Sequence, residues 1–134
     1  MIRSVVAITA AIMGVLSLAN GIFMVISPEP WYWAVPGVAE RGPFNQHFIR
    51  DLGFIYGLIG SSYLCGLLYI SQRVALWCLS SAWLVCHAIF HIWEIWVGIC
   101  GPEFFLIDFG GVTLPALVSV GLVYRSYSRA ENDL

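Results

Sequence analysis

Ser4-Val-Val-Ala-Ile-Thr-Ala-Ala-Ile-Met-Gly-Val-Leu-Ser-Leu-Ala-Asn-Gly-Ile-Phe-Met-Val-Ile26 contains no charged side chain. A helix needs about 20 apolar residues to cross a bilayer, and this stretch is long enough. It also exceeds the usual apolar core of about 7–15 residues in a cleaved signal peptide, so it reads as a retained helix. Three more stretches follow. One starts near Asn45 and ends at Ile70, uncharged from Leu52 onward. Another runs from Val74 to about Gly98 with Glu94 as its one carboxylate, and the last runs from about Ile107 to Tyr124 with Pro115 in its middle. Barrel strands would alternate polar with apolar residues and would be shorter. The fold class expected is all-α, a polytopic transmembrane four-helix bundle. One domain would cover residues 1–134, with helices about 4–26, 45–70, 74–98 and 107–124 and a long loop over 27–44.

Composition agrees. Of 134 residues, 60% are hydrophobic and only 10% are charged, where soluble domains carry about 25% charge. A soluble globule this small buries only about two-thirds of its surface and could not hide so much apolar side chain. Six Arg, no Lys and a net charge of -2 leave no basic footprint for nucleic acid. Soluble enzymes, disordered tails and nucleic-acid binders are thereby excluded, and the lipid bilayer is the first partner.

Arginine placement predicts the orientation, because positive charge is retained on the cytoplasmic side. Arg3, Arg73, Arg125 and Arg129 flank the two termini and the second loop; Arg41 and Arg50 lie at the other end. Both termini are expected in the cytoplasm. The Trp31-Tyr32-Trp33 triplet, with Trp93 and Trp96, would then form the outer interfacial belt, and Trp77 and Tyr124 the inner one. Ser71-Gln72-Arg73 is short enough to force the second and third helices into an antiparallel hairpin. Gly53, Gly57, Ser61 and Cys65 form a ridge of small residues at steps of four, which suits close packing and makes the second helix the central one. The same ridge could serve a homo-oligomer contact. Four cysteines without a CxxC spacing point to apolar packing, not to a disulfide framework.

The chemistry lies in ionisable groups within spans, which are costly in lipid and usually face the bundle interior. His47, Arg50 and Asp51 share one face of the second helix, and His87, His91 and Glu94 share one face of the third. Asp108 opens the fourth. At about 1.5 Å per residue, His91 would lie roughly 12 Å below the outer end and Asp51 roughly 9 Å. Imidazole and carboxylate are ligands of Cu, Zn and Fe, and an i, i+4 His pair puts two nitrogens on one helix face. The candidate metal ligands are His47, Asp51, His87, His91 and Glu94, with Arg50 and Asp108 orienting them. The paired E-x-x-H repeats of di-iron bundles are absent. The same residues could instead satisfy one another as a structural network, relay protons, or hold a haem or quinone. No nucleophile–base pair, phosphate loop or dinucleotide fingerprint supports independent catalysis.

The layout resembles the small four-helix bacterial membrane proteins of the DoxX-like kind in its first span, its Pro28-Glu29-Pro30-Trp31 loop and its Arg50-Asp51-Leu52-Gly53 start to span two. It is more similar to uncharacterised bacterial proteins with a G-P-F-N-x-H-F-x-R-D-x-G stretch, here Gly42 to Gly53, and an H-A-x-x-H helix, here His87 to His91. The resemblance implies a bacterial inner membrane and brings no activity. Two functions are open at this point: a metal site supporting a membrane redox or metal-handling system, and an accessory or scaffold subunit of a larger membrane complex.

Overall fold

A computed structural model of the chain describes residues 2–132, with side chains over 4–128. The long helices are α1 (Ile2–Ile26), α3 (Gln46–Leu68), α4 (Arg73–Trp96) and α6 (Leu114–Asn132); α2 (Pro28–Ala34) and α5 (Phe104–Asp108) are short. Four segments are long and apolar enough to cross a membrane: Ser4–Ile26, Gln46–Leu68, Ile70–Trp96 and Phe104–Ser128. The bundle is all-α, and the chain is an integral membrane protein by length and composition.

Local chemistry sets the helix ends. Asn45 caps α3 by accepting the amides of His47 and Phe48, both at 3.1 Å, which satisfies two of the donors every helix N-terminus leaves open. Gly98 ends α4 in the left-handed region at φ 79°, where a residue with a Cβ is strained. The fourth span begins earlier than its charge pattern suggested, because Phe104–Asp108 is already helical. A π-helical turn, Phe109–Thr113, then leads into α6. Pro115 has no amide to donate to Gly111, and its ring crowds that carbonyl, so the widened turn absorbs the misfit just before it.

The second span is central, packing on both the first and the third. The closest packing joins α1 to α3, α4 packs on α6, and the hairpin joins the two pairs. The α1–α3 seam uses Gly53 and Gly57 of the expected ridge, and Gly60 beside it. A Cβ on Gly60 would come 2.5 Å from the Leu18 nitrogen, and one on Gly21 would come 2.5 Å from the Gly53 oxygen. Only glycine lets these backbones meet, and in lipid such close approach is a main source of helix association. Trp77 is fully buried, not interfacial; its Nε1 donates to the Tyr63 carbonyl at 3.2 Å. Tyr63, also fully buried, lies 3.3 Å from Ser81 Oγ through its hydroxyl, pinning the hairpin.

The loop after α1 folds back onto the bundle. Trp31 and Tyr32 are buried with Met24 and Ile49, and only Trp33 of the aromatic triplet is exposed. The Trp31 indole donates to Asn20 Oδ1 at 2.9 Å, and the Tyr32 hydroxyl donates to the Gly42 carbonyl at 2.7 Å. Two members of the expected interfacial anchor thus serve as packing for a structured loop.

Candidate functional site

Four ionisable residues, Arg41, His91, Glu94 and Asp108, gather where that loop meets α4 and α5. Asp108 closes α5 and is 6% exposed. Its Oδ2 receives Arg41 Nη2 at 2.5 Å and lies 2.9 Å from His91 Nδ1. One carboxylate oxygen therefore joins three parts of the chain: the loop, α4 and α5. A hydrogen bond from His91 to this carboxylate places the proton on Nδ1. Arg41 Nε also lies 3.7 Å from Glu94 Oε2, one turn of α4 beyond His91. That pair is at ion-pair range without a hydrogen bond, and both atoms are buried with no hydrogen-bond partner.

The loop is shaped to deliver Arg41. Gly37 adopts φ 82°, and its carbonyl accepts Arg41 Nη1 at 3.3 Å. A Cβ on Gly37 would meet Arg41 Nη1 and Ile107, each at 3.1 Å, so glycine is needed both for the turn and for the room. The guanidinium carbon stands 4.6 Å from the centre of the Phe104 ring, a cation–π contact. Deeper along α4, the His87 ring packs edge-on against His91 at 4.5 Å and stacks on Trp83 at 4.7 Å.

The structure brings together His91, Glu94 and Asp108, and places His87 beside them. His47 and Asp51 lie elsewhere: they pair with each other at 3.3 Å on the exposed side of α3 and have no contact with the cluster. Arg50 donates to the Val25 carbonyl at 3.1 Å and to Gln46 Oε1 at 3.4 Å, so it orients no carboxylate. The arginine in that role is Arg41, a residue whose sequence context marks it only as a charge in the outer loop. The signal that could have found it is electrostatic: Glu94 and Asp108 within spans call for a cation, and Arg41 lies in the loop at their end of the bundle.

This arrangement does not resemble an open ligand set. Among the described residues, no group of three or more His, Cys, Asp or Glu side chains could hold a metal ion. Arg41 contacts both carboxylates, where a metal would need their oxygens. What the cluster does chemically is pair charge: one guanidinium faces two carboxylates, and the His91 ring hydrogen-bonds to one of them. Searches with family models, curated proteins and solved structures each find no match.

Proposed function

We propose that this chain is a small accessory or scaffold subunit of a bacterial inner membrane, with both termini cytoplasmic, and that its buried ion cluster locks the outer loop in place. The observation that carries this reading is the shared Asp108 oxygen, which Arg41 and His91 both reach. Its groups spend their charge on one another, as a network that fixes the arrangement of segments does. Removing the cluster should then release the loop without removing any bound group. The arginine distribution supports the orientation, and the DoxX-like layout supports the membrane assigned.

A second reading, a transition-metal site of Cu, Zn or Fe built on His87, His91, Glu94 and Asp108, draws on a buried Glu94 oxygen that accepts no hydrogen bond and on the neighbouring imidazoles. It requires Arg41 to swing away. Elemental analysis after mild detergent extraction separates the two. The subunit reading expects no stoichiometric metal and a larger complex of fixed composition that Arg41→Met disrupts. Stoichiometric metal lost in both His91→Ala and Glu94→Ala would overturn it.

A further inference from the structure

At the opposite end of the bundle, α1 and α6 leave an open seam. A groove of about 380 Å³ runs there between Val5 and Thr9 of α1 and Val118, Gly121 and Leu122 of α6, and Arg125 stands at its rim. Because residues near the start of α1 and the end of α6 line one groove, both termini lie at this end.

The rim is chemically unbalanced. Arg125 is exposed and has neither an ion pair nor a hydrogen bond among the described residues. The contrast with the other arginines is sharp. Arg41 sits between two carboxylates, and Arg50 is committed to a carbonyl and an amide oxygen. Arg73 donates to the Gly66 carbonyl and covers the Trp77 ring. Arg125 alone of these four presents an unused planar donor fork, the geometry that matches a phosphate. Below it the groove is apolar and unfilled: a Cβ on Gly121 would meet nothing within 4 Å. From Arg125 to Val118 is two turns of α6, about 10 Å of depth along the membrane normal.

We infer that this seam is a binding site for an anionic phospholipid, its phosphate on Arg125 and the upper part of one acyl chain in the groove over Gly121. Charge complementarity selects the occupant, since basic pockets between membrane helices take anionic headgroups. The apolar trough selects a lipid over a free anion.

The test is native mass spectrometry of the detergent-solubilised chain, titrated with phosphatidylglycerol and with phosphatidylcholine of identical acyl chains. Phosphatidylglycerol should bind about fivefold tighter for the one guanidinium engaged. Arg125→Gln should abolish that preference, and Gly121→Leu should weaken both lipids while leaving the charge in place. Arg50→Gln, at the far end, should change nothing. Equal binding of the two lipids by the native chain, or an unchanged preference in Arg125→Gln, would overturn the inference. So would displacement of the bound lipid by inorganic phosphate alone, or a second copy of the chain filling the seam in place of lipid.

Discussion

Replacing Arg41 by Met keeps a long side chain but leaves Asp108 and Glu94 buried without their guanidinium. Breaking a buried ion pair from one side costs about 3–5 kcal/mol. The side chains of Arg41 and Asp108 are only 17% and 7% exposed, so little of that is screened by solvent. His91 still reaches Asp108 and softens the loss, which brings the expected cost to the lower end, about 3 kcal/mol. Arg41 lies in the loop, so the protein can shed the strain by letting the loop detach while the four spans stay packed. The damage should therefore appear as local opening. The amides of Val35 and Val38, bonded to Trp31 and Val35 carbonyls, report it directly. Their hydrogen exchange should accelerate by about two decades, since about 1.4 kcal/mol is worth one decade. Amides near Tyr63 and Trp77 should stay protected. Adding Asp108→Asn should restore part of the loss, with a coupling of about 2 kcal/mol in the double-mutant cycle. Unchanged loop exchange in Arg41→Met, or strict additivity of the two substitutions, would refute the clamp.

Other substitutions probe the rest of the account. Gly60→Val should destabilise the α1–α3 seam by about 2–3 kcal/mol through overpacking, whereas Gly57→Ala should cost nothing measurable, as unfolding in mixed micelles would show. Trp77→Phe removes the indole donor to the Tyr63 carbonyl and should lower stability by about 1 kcal/mol in the same assay. His47→Ala should leave loop exchange at its native rate, because its pair with Asp51 is exposed and surface pairs contribute about 0–1 kcal/mol.

The four spans, the hairpin and the His87–His91–Glu94 stripe were legible because each depends on local pattern: run length, loop length and helical period. The partners were not. Within lipid, apolarity does not distinguish a face against a neighbouring helix from a face against acyl chains. Leu58 and Ile59 are adjacent and equally apolar, yet one is 70% and the other 4% exposed. Pairing is decided instead by shape, and Gly60 with Gly14 carries it as much as the regular ridge at Gly53 and Gly57. The site suffered from the same limit. Period alone placed His47 and Asp51 on a common face of α3, but could not say that both side chains stay exposed and pair with each other. Arg41 was hidden for another reason: its role depends on the turn at Gly37 and on a loop that folds inward through Trp31 and Tyr32. An aromatic triplet beside prolines carries no local mark separating membrane anchoring from burial.

The central claim is that one carboxylate, Asp108, gathers the loop arginine and the α4 histidine. Solid-state NMR on the protein in lipid bilayers tests it most directly, with the Asp108 carboxyl carbon as the source of carbon–nitrogen transfer. Strong transfer should reach the Arg41 guanidinium and His91 Nδ1, and none should reach the His47 ring. Transfer to His47, or to neither Arg41 nor His91, would contradict the account.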